Sequence, residues 1–334
     1  MKQFSAMAIC LLLLTGNMMY AQSGYHLIST YHIASPGWWD YLAVGPENQR
    51  LYVSHGTQVN ILNEKTGDSV AVIPNTTGVH GIAFVPYLHK GYTSNGRLNN
   101  VSVFDLLNNR VVTQIPTGEN PDAILYEPYS KKIITCNGRS NDLSLLDPVT
   151  EKLVATIPVG GKPETAVSDE KGRVFVNIED KNEIVVVNMN TQKVEKRWSI
   201  APGEGPTGLA IDLKTNRLFA GCEKLLLVIN AANGAVVAQL PIGEGCDGVA
   251  FDPELHYIFA SCGEGLLSVI REESADKFSK TENVPTKKGA RTIAIDKKTH
   301  EVFLPTADFE NTTQPGERRP AMIPGSFQVL VFGR

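Results

Sequence analysis

Short apolar segments recur along the chain, separated by stretches rich in Gly, Asn, Asp and Pro. One of these segments occurs in seven copies, and successive copies begin 40 to 44 residues apart. A constant period of this length is typical of repeat architectures, in which each unit is one supersecondary element. The seven copies are residues 41–44, 81–84, 123–126, 165–168, 208–211, 248–251 and 292–295.

Each unit contains three further apolar runs, for example residues 51–54, 101–105 and 111–116 in their respective units. The runs are rich in β-branched residues and show no helical period, so they are predicted to be strands joined by turns. Four strands in a unit of about 42 residues match a β-propeller blade. The sequence therefore predicts an all-β, seven-bladed β-propeller that forms a single domain over residues 22–334.

The two ends of the chain predict how the ring closes. The last unit has strands at 293–295, 302–304 and 327–332, and the sequence then stops at Arg334 without a fourth. Residues 25–34 are apolar and precede the first inner strand, so they fit this vacancy. We expect this N-terminal strand to complete the last blade, because the pairing removes two exposed sheet edges.

Two recurring motifs point to a known family. One is Tyr-Val-Ser-His at 52–55, with Tyr-Thr-Ser-Asn at 92–95, and the other is Ile-Pro-x-Gly at 115–118 and 157–160. Over about residues 40–305 the units resemble the YVTN-repeat propellers, the YncE-like family of exported bacterial proteins. The resemblance implies the fold but no activity, because most members of that family have no established one.

The N-terminus resembles a secretory signal. Lys2 precedes an apolar run at 4–14 that is too short to span a bilayer, and residues 15–21 are small or polar. We expect a signal peptide over 1–21, cleaved after Ala21, and a periplasmic or secreted protein. Cys10 lies inside the run, so a lipoprotein is not expected. No other segment has transmembrane length, and we expect a monomer without membrane insertion.

Charge and cysteine content exclude several classes of protein. Lys and Arg number 31 against 35 Asp and Glu, a net charge of −4, which opposes binding to a nucleic-acid backbone. The spacing of the cysteines after the signal fits neither haem attachment nor a zinc site. We expect small buried thiols, with a Cys222–Cys246 or Cys222–Cys262 disulfide as the alternative. These cysteines are Cys136, Cys222, Cys246 and Cys262.

Polar residues concentrate on one face of the predicted propeller. The residue before each inner-strand segment lies beside the central channel, and six of these seven residues are ionisable, which strand packing does not explain. The loops that join second to third strands lie on the same face, and Trp39 adds a flat apolar surface there. The candidate ligand-binding residues are Trp39, Asp40, His55, His80, Asn95, Arg97, Asp122, Asn137, Arg139, Glu164, Asn177, Asp247 and Arg291; Thr207 is the seventh residue of the ring.

Two arrangements of this acidic ring remain open. Asp122, Glu164 and Asp247, together with His80, would bind a divalent cation, Ca²⁺ or Mg²⁺. In the alternative, Arg291 neutralises Asp247 and Asp40 and leaves an organic polar site without metal. An insertion over 307–325 interrupts the last unit and is either a lid carrying Arg318 and Arg319 or a passive surface loop.

The sequence favours a binding module that recognises a small polar ligand, a glycan or a protein on this face. The alternative is a metal-assisted lactonase or lyase that uses the same acidic ring. The chain contains no nucleophile-elbow, phosphate-loop or dinucleotide fingerprint, so no catalytic residue is assigned.

Overall fold

The recurring apolar runs form strands throughout the computed structural model, which describes residues 23–47, 49–312 and 320–334. These residues form seven antiparallel sheets of four strands each, and every unit of the sequence gives one sheet. The prediction of an all-β, seven-bladed propeller is confirmed. Two short 3₁₀ turns, Pro86–Leu88 and Glu179–Lys181, interrupt the pattern.

The blades are numbered along the chain, and each runs from its inner to its outer strand. The strands are β1 (His26–His32); in blade 1, β2 (Trp39–Val44), β3 (Arg50–His55), β4 (Gln58–Asn63) and β5 (Ser69–Ile73); in blade 2, β6 (Val79–Val85), β7 (Lys90–Asn95), β8 (Asn100–Asp105) and β9 (Val111–Pro116); in blade 3, β10 (Pro121–Glu127), β11 (Lys132–Asn137), β12 (Asp142–Asp147) and β13 (Lys152–Pro158); in blade 4, β14 (Pro163–Ser168), β15 (Arg173–Ile178), β16 (Glu183–Asn188) and β17 (Lys193–Ser199); in blade 5, β18 (Leu209–Asp212), β19 (Arg217–Cys222), β20 (Leu225–Asn230) and β21 (Val236–Pro241); in blade 6, β22 (Cys246–Asp252), β23 (Tyr257–Cys262), β24 (Leu266–Ser274) and β25 (Lys277–Pro285); and in blade 7, β26 (Ala294–Ile295), β27 (Val302–Thr306) and β28 (Gln328–Gly333).

The N-terminal strand closes the ring as the sequence predicts. Strand β1 pairs antiparallel with β28, so it is the outer strand of blade 7. Each inner strand contacts the inner strand of the next blade, and β26 contacts β2. The first and last units are therefore neighbours around the central channel.

The hydrophobic core is divided among the gaps between blades. Seven clusters of buried side chains each join two neighbouring blades, including blades 7 and 1. The middle strands are buried on both faces. For this reason β16 is a continuous apolar run and does not alternate between apolar and polar residues. Outer strands such as β17 are largely exposed.

Small residues after the ring position let the inner strands approach one another. A Cβ on Gly208 would lie 2.6 Å from the backbone nitrogen of Val249 in the next blade. A Cβ on Gly81 would lie 2.8 Å from the side chain of Ile124. The equivalent residue in blade 1 is Tyr41, a large side chain where the other blades have a small one.

All four cysteines of the described residues are buried and free, so the alternative disulfides of Cys222 are not formed. Cys246 lies directly opposite Cys262 on the neighbouring strand, which makes Cys262 its partner in the sheet. No helix in the described part of the chain is long and apolar enough to cross a membrane. The expected signal peptide at 1–21 lies outside the described residues.

Candidate functional site

The seven ring residues precede or begin the inner strands and surround one end of the central channel. The first three of them interact. Asp40 Oδ2 lies 2.5 Å from His80 Nδ1, and Asp122 Oδ1 lies 3.7 Å from the same nitrogen. Burial opposes a positive charge on His80, but the hydrogen bond with Asp40 and the charge of Asp122 outweigh it and raise its pKa to about 9. At neutral pH, His80 is therefore a cation between two carboxyl groups.

Arg291 neutralises the other side of the ring. Its guanidinium forms an ion pair with Asp247, and Nη2 lies 3.9 Å from Asp40 Oδ1. This is the arrangement that the sequence offered as the alternative to a metal. Thr207 donates its hydroxyl to the carbonyl of Cys246 at 2.6 Å, so its polar group serves the contact between blades.

Lys162 is a site residue that the sequence analysis missed. It lies in the loop before β14, and its Nζ is 3.2 Å from Glu164 Oε2. The same ammonium group pairs with Glu179, which follows β15. The neighbouring carboxylates raise the pKa of Lys162 despite its burial. Its position two residues before Glu164, in the loop that leads into β14, was the signal in the sequence.

One carboxyl oxygen of the ring has no hydrogen-bond partner among the described residues, and a second contacts only a lysine. Asp122 Oδ1 is buried without a hydrogen bond, and Glu164 Oε2 is buried with Lys162 Nζ at 3.2 Å. The exposed fraction is 9% for Asp122 and 8% for Glu164. Burial, with the charge of Asp40, raises the pKa of Asp122, and burial, with the charge of Asp122, raises that of Glu164.

Tyr41 crosses the channel beside this ring. Its backbone belongs to blade 1, but its side chain packs against the cluster between blades 3 and 4, which includes Ala123 and Ala166. Burial and the charges of Asp122 and Asp40 raise its pKa, so the hydroxyl remains protonated. Small residues at the equivalent positions of the other blades leave space for this one large side chain.

His55 and the three predicted asparagines serve the fold instead of joining the ring. His55 is buried, with its ring nitrogens 2.8 Å from Ser35 Oγ and 2.8 Å from the Gly37 carbonyl. Burial lowers its pKa. The amides of the asparagines fix turns and blade contacts: Asn95 donates to Asn100 and Ser102, Asn137 to Asp142 and Ser144, and Asn177 to the carbonyls of Thr207 and Gly208.

Arg97 and Arg139 are exposed on the same face, in the loops after β7 and β11. Neither forms an ion pair with any described residue. The cations of the ring are thus His80, Lys162 and Arg291.

A cleft of about 870 Å³ adjoins the ring at Arg291. We call it the aromatic cleft, because Trp38, Trp39 and Phe309 line it together with Lys287, Lys288 and Asp308. Trp39 is buried and stacks on Phe327 with ring centroids 5.2 Å apart. Phe309 belongs to the base of the insertion. Arg318 and Arg319, the cations of the expected lid, lie outside the described residues.

Among the described residues, one group of possible metal ligands forms, and it lies on one side of the ring. Ligand atoms of Asp40, His80 and Asp122 all lie within 4.8 Å of one another. Of the set expected from sequence, Asp122 and His80 belong to this group. Glu164 pairs with Lys162 and Asp247 pairs with Arg291.

No protein family matches the sequence, and no curated protein is significantly similar to it. The structure is similar to a chain of Kuenenia stuttgartiensis hydrazine synthase, with a TM-score of 0.70 and 15% sequence identity, covering 82% of this chain and 94% of that chain. At this level of identity the likeness concerns the fold alone. The chain is thus a seven-bladed β-propeller, and the likeness assigns it no function.

Proposed function

We propose that the protein is an exported binding module that holds a small polar ligand at the mouth of the central channel. The unpartnered, buried Asp122 Oδ1 carries this proposal. A buried polar oxygen without a hydrogen bond costs about 1–3 kcal/mol, and such groups in a cleft are commonly satisfied by a ligand. Glu164 Oε2 offers a second acceptor on the neighbouring blade.

The chemistry of the ring favours a ligand with hydrogen-bond donors. Two acceptor oxygens on adjacent blades suit the hydroxyl groups of a sugar or polyol, or a small amine. The side chains of Asp122 and Glu164 are only 12% and 11% exposed, so a small molecule or the end of a glycan fits them better than a protein surface.

Binding of sugars, polyols and amines, measured by calorimetry after a thermal-shift screen, tests the proposal. We expect Asp122→Asn and Glu164→Gln to weaken binding about 10-fold or more, because each replaces a carboxyl group that has two oxygens by an amide that has one. Glu195→Gln, an acid-to-amide change on the exposed outer strand β17, is the matched control. Equal affinity in all three variants, or the absence of any ligand in the screen, would contradict the proposal.

The group formed by Asp40, His80 and Asp122 supports a second candidate, a divalent-metal site used by a lactonase or lyase. One imidazole and two carboxylates suit a transition metal better than Ca²⁺ or Mg²⁺. The hydrogen bond between Asp40 and His80 competes with metal binding, which is why this candidate ranks second. Metal analysis of purified protein, melting with and without chelator, and lactone turnover separate the two candidates.

Export and family membership are part of the proposal. The apolar run at 4–14 supports a signal peptide, and the Tyr-Val-Ser-His and Ile-Pro-x-Gly motifs support kinship with the YVTN-repeat propellers. N-terminal sequencing of protein recovered outside the cytoplasm should begin at Gln22. A retained N-terminus in the cytoplasm would argue against export.

A further inference from the structure

We propose that the aromatic cleft is a second binding site, which takes a small organic carboxylate with a flat apolar face. The cleft differs from the ring in what it offers a ligand. The ring presents acceptor oxygens, whereas the cleft presents aromatic rings, cations and an indole N–H. This inference goes beyond the proposed function, because it concerns another place and an anionic ligand.

The wall of the cleft is an aromatic surface held in place by its neighbours. Trp38 is 53% exposed, although its ring stacks on Trp39 with centroids 5.9 Å apart and an interplanar angle of 27°. Phe309 lies 6.3 Å from Trp38 and 6.0 Å from Trp39. Rigid, exposed aromatic rings bind flat apolar surfaces at low entropic cost.

One cation of the cleft is available to an anionic ligand. Lys287, Lys288 and Arg291 line the cleft together with Asp308 and Glu310. Lys287 Nζ pairs with Asp308 at 2.7 Å, and Arg291 pairs with Asp247. Lys288 forms no ion pair with any described residue and is exposed at the wall, so it is the cation that is available to a ligand.

Trp39 adds an unsatisfied donor. Its indole Nε1 is buried and has no hydrogen-bond partner among the described residues, and the side chain lines the cleft. A carboxylate that reaches Trp39 would accept this hydrogen bond, and Lys288 would supply the opposite charge. The volume of about 870 Å³ is within the usual range for small-molecule sites.

Calorimetry with two acids and their neutral analogues tests the proposal. Glucuronic acid against glucose represents a sugar acid, and benzoate against benzyl alcohol represents an aromatic acid. We expect at least one acid to bind about 10-fold more tightly than its neutral analogue, with an affinity that falls as salt rises. The acid that binds shows whether the flat apolar face of the ligand belongs to a sugar or to an aromatic ring.

Variants separate the cleft from the ring. Trp38→Ala and Lys288→Ala should each weaken binding of the acid about 10-fold, while Lys297→Ala, an exposed lysine near the start of blade 7, should not change it. Asp122→Asn should leave binding of the acid intact, so failure here is distinguishable from failure of the proposed ring site. Equal binding of acid and neutral analogue, unchanged binding in Lys288→Ala, or no binding of either acid up to about 10 mM would overturn the inference.

Discussion

The carboxyl groups of the ring differ from one another because each has a different neighbour. Asp247 pairs with Arg291, Glu164 approaches Lys162, and Asp40 shares its oxygens between His80 and Arg291. Asp122 has only His80, at 3.7 Å, and keeps an unpartnered oxygen. An aspartate at this position is therefore part of an ion pair in blades 1 and 6 and has an unpartnered oxygen in blade 3.

Replacement of Tyr41 tests whether its ring fills the channel. Tyr41→Ala removes the packing against blades 3 and 4 and should lower the free energy of unfolding by about 2–4 kcal/mol. Tyr41→Phe keeps the ring and should change stability by less than about 1 kcal/mol. Denaturant unfolding measures both variants. Equal stability of Tyr41→Ala and wild type would show that the ring does not support the channel.

The two adjacent tryptophans should respond differently to truncation. Trp39 is 6% exposed and stacks on Phe327, so Trp39→Ala should cost about 3–5 kcal/mol of unfolding free energy. Trp38→Ala should cost less than about 1 kcal/mol, because the side chain is half exposed. The same denaturant series reports both values. A large loss in Trp38→Ala would mean that the exposed ring also supports the fold.

At the scale of elements, pairs of acidic residues join blades on the face opposite the ring. Glu64 follows β4 and lies beside Asp296 at the end of β26, and Glu272 of β24 lies beside Asp212 at the end of β18. Burial raises the pKa of each glutamate to about 7, and the neighbouring aspartate adds to the shift. The contacts between these blades are therefore more stable when the glutamate carboxyl group is protonated.

This proton makes stability depend on pH. The ordinary glutamate pKa is 4.5, and the folded value for Glu272 is about 7, so the folded chain binds the proton more tightly than the unfolded chain. The stabilisation is complete below about pH 4.5 and is lost as pH rises through 7. Glu272→Gln supplies a permanent donor and should be more stable than wild type at pH 8 by about 1–2 kcal/mol, because solvent reduces the full shift.

Unfolding between pH 4 and pH 8 measures the difference. Glu64→Gln should behave in the same way, and Glu195→Gln, whose carboxyl group is exposed, should follow the wild-type profile. A wild-type protein whose stability rises over this range, with Glu272→Gln parallel to it, would contradict a raised pKa of Glu272 in the folded chain.

At the scale of the whole molecule, closure depends on a strand from one end of the chain pairing with a strand from the other. Strand β1 covers the edge of β28, and Tyr25 and Tyr31 join the clusters on either side of blade 7. The N-terminal segment thus supplies both hydrogen bonds and core side chains to the last blade.

Deletion of residues 23–35 should open this edge. We expect a lower melting temperature and aggregation, because the exposed edge of β28 can pair with other chains. A chain that begins at residue 22 is the control. Size-exclusion chromatography and thermal melting report the result, and a truncated protein that stays monomeric with an unchanged melting temperature would refute closure by β1.

The sequence by itself determined the blades, the strand that closes the ring and the positions of the seven ring residues. Strands and turns follow from local sequence patterns. A regular repeat then places equivalent positions around one axis, whichever side chains occupy them. It also placed Trp39 and Asp40 together, because they are adjacent in the chain.

Only the tertiary structure decided which of these residues are paired within the fold and which keep an unpartnered polar atom. His55, Asn95 and Asn137 belong to residue types that form turns and bind ligands equally well, and only their hydrogen-bond partners show that here they stabilise the fold. The pairing of Arg291 with Asp247, the reach of Tyr41 across the channel and the aromatic cleft depend on distances between blades. Such distances are set by packing between segments that are far apart in the sequence, and a local sequence pattern carries no information about that packing.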